Sequence, residues 1–199
     1  MNGSMEIKNI VFDFGCVLVD LDKYRCVDAF NSIGAQAIST YVDECRQEDL
    51  FHDFETGRID IDVFCDEVRR KSPDCTATNE KICWAWNQLL TGIPERRVEK
   101  LKELKGKYRL FLLSNTNPVH WLPCKELLDD CFEKVFLSYE MHMVKPDSDI
   151  FEKMLEESGI DAKETLFIDD SKANCRAAEA LGIRTLHVAH GDEWLEQVG

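Results

Sequence analysis

Apolar and polar positions follow two rhythms along the chain, and the changes of rhythm divide it. Short, nearly continuous apolar runs recur at residues 6–13, 109–113, 134–138, 165–168 and 184–188. Runs of this length bounded by turn residues read as strands buried on both faces. From Val98 onward they alternate with stretches in which apolar residues return every three to four positions, as on the inner side of a helix. One such helix opens at Pro94, where a missing N–H suits a first turn. Another runs through Trp121, Leu122, Leu127 and Leu128. A third spans Ser148 to Ser158 and closes on Gly159, and a fourth, capped by Ser171, closes on Gly182. This alternation predicts an α/β fold, a three-layer parallel sheet with helices on both faces. Right-handed crossovers then bring every strand C-terminus to one edge.

Residues 23–90 break the pattern. They carry helix-period apolar positions and few strand signals. One run passes through Tyr24, Val27, Ala29 and Phe30, and a second through Tyr41, Val42, Cys45, Leu50 and Phe51. Ile61, Phe64, Cys65 and Val68 follow Asp60 as N-cap, and Ile82, Trp84, Trp86, Leu89 and Leu90 follow Thr78. Four short helices packed on one another are expected here. The acidic patch Asp43, Glu44, Glu48 and Asp49 reads as a solvated helix face.

Composition adds limits. With 199 residues, 44% of them apolar, the chain can bury a sizeable core as one large domain or a domain with an insertion. A net charge of −14 repels phosphate backbones and anionic membranes, so neither nucleic acid nor a membrane surface is expected as partner. No apolar run approaches the length of a membrane span. Nine cysteines lie scattered without a C-x-x-C pair, which reads as buried thiols in a reducing cytoplasm rather than zinc ligands or a disulfide scaffold. There is no signal peptide; Met1–Ser4 reads as a short leader, with Met5 an alternative start.

Candidate chemistry sits at the strand ends. The first strand ends on Asp13, the second on Ser114–Asn115 and the fourth on Asp169–Asp170, with Lys145 just past the third. Asp13 alone would pass for a turn residue. Carboxylates, a hydroxyl and a lysine gathered on one sheet edge suit phosphoryl chemistry. Asp13 and Asp170 would offer Mg2+ the hard oxygen ligands it prefers, and crowded carboxylates call for a bridging cation. Lys145 would balance Asp13 and an incoming phosphate, and Ser114 would hold phosphoryl oxygens.

The order of the Asp13 motif, Ser114–Asn115, Lys145–Pro146 and Asp169–Asp170 resembles the haloacid dehalogenase-like superfamily over nearly the whole chain. Within it, Phe-Asp-Phe-Gly-Cys-Val-Leu-Val-Asp, Ser-Asn-Thr-Asn and Phe-Ile-Asp-Asp resemble the bacterial sugar-phosphate phosphatases that include alpha-D-glucose-1-phosphate phosphatase. The resemblance implies a Rossmann-like core (residues 1–20 and 92–199) and a small α-helical cap (21–91) inserted after the first strand. It implies a Mg2+-dependent phosphomonoesterase acting on a small phosphorylated metabolite, as a monomer or homodimer. Asp13 would be the nucleophile that forms an aspartyl-phosphate. Asp170 would ligate Mg2+ directly, Asp169 through water, and Gly15 through its carbonyl. Ser114, with Asn115 beside it, would bind phosphate, Lys145 would stabilise the phosphoryl charge, and Asn174 would fix the Asp170 loop.

One position departs from the family's pattern. Gly15 stands where most of its phosphatases carry the general acid/base aspartate. Such help is worth about 10²–10⁴-fold, so its loss points to substrates with good leaving groups, sugar 1-phosphates before 6-phosphates. A substitute is the other expectation: Asp20 at the start of the cap, or a cap residue. Hinges are expected at 20–22 and 92–94. His120 and His142, near strand ends, read as polar helix or loop residues more readily than as catalysts. Of Trp84 and Trp86, one should pack in the cap and the other face the substrate, while Trp121 suits helix packing. Two other functions share the pattern. A 2-haloacid dehalogenase also lacks the second aspartate, and a non-catalytic phosphometabolite-binding protein would need only the fold.

Overall fold

The computed structural model describes residues 6–43 and 50–199. In chain order its elements are β1 (Asn9–Phe12), β2 (Asp20–Leu21), α1 (Lys23–Ser32), α2 (Gln36–Asp43), α3 (Leu50–Glu55), α4 (Ile61–Lys71), α5 (Asn79–Asn87) and β3 (Leu90–Gly92). There follow α6 (Glu95–Lys105), β4 (Arg109–Ser114), α7 (Pro118–Leu128), β5 (Lys134–Leu137), α8 (Ser138–Met141), α9 (Ser148–Ser158), β6 (Thr165–Asp169), α10 (Lys172–Ala180), β7 (Arg184–His187) and α11 (Glu193–Gln197).

Five strands form one parallel sheet in the order β5-β4-β1-β6-β7. The first strand lies at its centre, which explains its unbroken apolar run. The pleat sends successive side chains to opposite faces. Ile10, Phe12, Leu110, Leu112 and Ile168 meet α6, α7 and α11 on one side. Val11, Phe111, Leu113 and Phe167 meet α9 and α10 on the other. Two faces covered by helices make the three-layer α/β fold that the alternation predicts.

The helical segment has its own apolar cluster, built from residues between Cys26 and Trp86 with Val119 of α7. Its two ends leave the core through the antiparallel ribbon of β2 and β3, Asp20 opposite Gly92. Asp60 and Thr78 cap α4 and α5 as their sequence positions suggest, accepting from Val63 N and Lys81 N. Gly159 closes α9 at φ +63°.

Several details differ from the sequence reading. The first strand begins at Asn9, level with the first residues of β4 and β6, Arg109 and Thr165, and the backbone of Lys8 still bonds to Glu164 O and Arg109 N. The helical segment holds five helices rather than four, since the run from Tyr41 to Phe51 is divided between α2 and α3. The residues between them lie outside the described chain, as do Met1–Ser4, Cys45 and the acidic patch apart from Asp43, of which only the backbone is described. Ser138 starts α8 instead of ending a strand. The strands β2 and β3 and helices α8 and α11 are too short to leave a periodic signature. Among the described residues the cysteines are free, and no helix is long and apolar enough to cross a membrane.

Candidate active site

The C-terminal ends of β1, β4 and β6 bring the expected polar groups together. Lys145 is buried and its ammonium sits between two carboxylates, 2.7 Å from Asp13 Oδ1 and 2.7 Å from Asp169 Oδ2. Its third hydrogen goes to Leu113 O at 2.9 Å. All three donors of the lysine are thus used. Burial alone would lower the pKa of Lys145, but Asp13 and Asp169 outweigh it and raise it. Burial raises the Asp13 carboxyl to about 7, helped by Asp169 and opposed by Lys145. Asp170 is raised too, by burial first and then by Asp169.

Ligand oxygens of Asp13, Asp169 and Asp170 fall within 4.8 Å of one another. Three ionised carboxylates against one ammonium leave the cluster two charges negative. A hard divalent cation such as Mg2+ fits this donor set. The three carboxylates are not equivalent. Asp169 is fully buried and its oxygens are already taken by Lys145 Nζ, Ser171 N (2.7 Å) and Asn174 Nδ2 (3.0 and 3.1 Å). Its geometry suits holding Lys145 better than holding an ion. Asn174 therefore fixes Asp169 rather than Asp170. The carbonyl of Gly15 accepts from Val17 N at 2.7 Å, which leaves one lone pair for a ligand.

Ser114 is fully buried at the end of β4, and its hydroxyl makes one long bond, 3.4 Å to Asn115 O. The Asn115 side chain does not reach out for phosphate. It pairs with the backbone of Lys145 in both directions, Nδ2 donating to Lys145 O and Oδ1 accepting from Lys145 N, each at 2.8 Å. Asn115 thereby sets where the lysine stands.

A cavity of about 440 Å³ opens between this edge and the helical segment. Phe14, Gly15, Asn115 and Thr116 line it from the core, and Lys23, Tyr41, Phe51, Glu55 and Trp86 from the helices. Trp86 packs on Phe51 and His120 with ring centroids 4.5 Å apart in each pair. Its Nε1 is buried without a hydrogen-bond partner among the described residues. So Trp86 both packs and lines the cavity, while Trp84 lies outside beneath Lys81 and Trp121 packs edge-on against Phe14. His120 is buried; its Nε2 donates to Trp86 O at 3.2 Å and its Nδ1 accepts from Asn117 Nδ2. Burial pulls its pKa down to about 4, so it is neutral and structural. His142 donates from Nδ1 to Thr56 O at 2.9 Å, fastening the end of α3 to the core.

Asp20 stands apart from this group. Its carboxylate accepts from Arg97 Nη2 at 2.7 Å, and it lines a different hollow with Cys16, Arg97 and His190. Held there by Arg97, Asp20 is not placed by the geometry to act as an acid/base on a substrate in the cavity. The carboxyl that the sequence reading missed is Glu55, half-buried on the cavity wall. Burial raises its pKa to about 7, with the charge of Asp13 adding to the effect. Nothing in the sequence marks it: a lone glutamate at the end of a six-residue helix carries no spacing signal. Only the following Thr56–Gly57 hints at a tight turn.

Residues 7–182 match the family described as haloacid dehalogenase-like hydrolases. The chain is 33% identical to a D-ribitol-5-phosphate phosphatase of Bacteroides thetaiotaomicron, over 96% of this chain and 97% of that protein. Its structure superposes, at a TM-score of 0.90 and 38% identity, on a HAD family enzyme of the same organism solved with magnesium and inorganic phosphate, covering 97% of this chain and all of the other. An L-2-haloacid dehalogenase of Xanthobacter autotrophicus shares the fold at a TM-score of 0.66 with 21% identity.

Proposed function

The chain belongs to the haloacid dehalogenase-like hydrolase family, and from that premise we propose that it is a Mg2+-dependent phosphatase of a sugar or sugar-alcohol phosphate. The observation that carries the reading is Lys145, bonded at once to Asp13 and Asp169, with Asp170 beside them and a cavity lined by the adjacent Phe14 and Gly15. Asp13 attacks phosphorus in line and carries the phosphoryl group as an aspartyl-phosphate, which water then hydrolyses. Lys145 holds Asp13 in place for attack and offsets the charge of the arriving phosphate. Asn115 and Asp169 position Lys145 from either side. Ser114 and the backbone N–H groups after β4 receive phosphoryl oxygens. Asp13, Asp170 and the Gly15 carbonyl would hold Mg2+, with Asp169 behind them. When bound, the ion supplies positive charge where the phosphoryl oxygens gather.

The two-stranded ribbon of β2 and β3 is where we place the boundary of the inserted cap, close to residues 20–21 and 91–92. The cap's cavity wall, with Tyr41, Trp86 and Glu55, selects the substrate. The relative that acts on ribitol 5-phosphate favours an alkyl phosphate, and a comparison of kcat/KM on glucose 1-phosphate and glucose 6-phosphate tests the preference for 1-phosphates that Gly15 suggests. Free thiols throughout the described chain support a reducing, cytoplasmic setting.

The test is phosphate release from a panel including ribitol 5-phosphate, the glucose phosphates and p-nitrophenyl phosphate. We expect activity with Mg2+, loss in EDTA, and a fall on the order of 10³-fold or more in Asp13→Asn. Halide release from a 2-haloacid at full rate in EDTA would instead make the chain a dehalogenase. Tight binding of a sugar phosphate without turnover would make it a binding protein.

A further inference from the structure

We propose that Glu55 of the cap helix α3 is the general acid and base of this site, the role that Gly15 leaves without a side chain. The inference rests on the phosphatase reading above. Four observations place Glu55 there. It lines the same cavity as Phe14, Gly15 and Thr116, so it faces the space where a substrate on Asp13 must lie. Its carboxyl has no hydrogen bond or ion pair among the described residues, in contrast to Asp20, which Arg97 holds elsewhere. Its backbone is fastened to the core: Ser138 Oγ donates to Glu55 O at 2.6 Å, and the same oxygen accepts from Thr116 N at 2.9 Å. One hydroxyl thus ties the cap carboxylate to the loop after β4. The chain then turns through Gly57 at φ +66°, where an added Cβ would meet Tyr139 O at 2.1 Å. Such close apposition of α3 to α8 is open only to glycine.

The groups facing Glu55 favour the assignment. Asp13 raises the energy of a second negative charge, which helps Glu55 keep a proton near neutral pH. His120 in the same wall is neutral. Lys23 and Tyr41 also line the cavity, and His142 is spent on Thr56 O.

In the first step an Asp13 oxygen bonds to phosphorus as the bond from phosphorus to the alcohol oxygen breaks. The electron pair left on that oxygen takes the proton of Glu55, and the neutral alcohol departs. In the second step the Glu55 carboxylate takes a proton from water as the water oxygen bonds to phosphorus. The phosphorus–Asp13 bond breaks, its electron pair returns to the Asp13 carboxylate, and Glu55 is protonated again.

Rapid-mixing kinetics of Glu55→Gln test this with two substrates of unequal leaving groups. p-Nitrophenolate is a weak base and needs no proton to leave, whereas the alkoxide of ribitol 5-phosphate does. With p-nitrophenyl phosphate the variant should give a burst approaching one p-nitrophenolate per site, then slow turnover, because the base for the second step is gone. With ribitol 5-phosphate it should give no burst and a kcat lowered about 10²-fold or more. Unchanged kcat on both substrates, or equal slowing of the first step on both, would overturn the role. An unchanged melting temperature checks that the variant is folded. If the wild-type protein releases phosphate from neither substrate, the phosphatase reading fails instead, and the two failures are told apart.

Discussion

Lys145 concentrates the logic of the site at the scale of single residues. A buried ammonium is tolerated because two carboxylates and a carbonyl take its three hydrogens. Asparagines on both sides, Asn115 and Asn174, are spent on holding this arrangement rather than on the substrate. His120 shows the opposite treatment of a titratable group. It is buried neutral between Trp86 and Asn117, with its pKa pulled from 6.5 to about 4. The unfolded chain binds a proton here that the folded one refuses. The contribution is therefore complete above pH 6.5 and is lost as pH falls toward 4, amounting to about 3 kcal/mol in all. Denaturant unfolding of wild type and His120→Gln across that range should diverge by roughly this amount, the variant losing less stability on acidification. Parallel curves would mean that His120 titrates normally.

At the scale of elements, the strand ends and the cap meet through a few contacts that no periodicity reports. Each strand that carries a catalytic candidate lies in the interior of the sheet, and its apolar run stops where the site begins. The second half of the site comes from α3, held by Ser138, His142 and the turn at Gly57. Gly57→Ala should cost about 2 kcal/mol or more, combining a left-handed backbone with contact against Tyr139 O. We expect a melting temperature lowered by about 4–8 °C and a kcat reduced more on ribitol 5-phosphate than on p-nitrophenyl phosphate, as α3 lifts Glu55 away. Wild-type melting and kinetics would remove the cap's fastening from this account. The strand ends could be read from the sequence because each follows an apolar run. Glu55 could not, because its partner Asp13 is distant in sequence and no local pattern joins them.

For the molecule as a whole, a charge of −14 and a cluster of three carboxylates make an anionic substrate depend on local positive charge. A cation that binds only the folded site should stabilise the fold, by about 2.7 kcal/mol at a hundredfold excess over Kd. Thermal melts should therefore shift upward with added Mg2+ in wild type and much less in Asp170→Asn; an equal shift in both would place the ion elsewhere. Sequence alone determined the parallel α/β core, since burial on both faces demands continuous apolar strands and leaves that mark in the chain. It also determined the family and the charged groups at the strand ends, because chain order and topology bring those ends to one edge. Tertiary structure decided how the groups divide the work. Asp169 and Asn115 hold Lys145, Asn174 holds Asp169, Asp20 pairs with Arg97 away from the cavity, and Glu55 comes in from the cap. Hydrogen-bond partners and cavity walls depend on packing between distant segments, and a side chain's type does not say which neighbour it will meet.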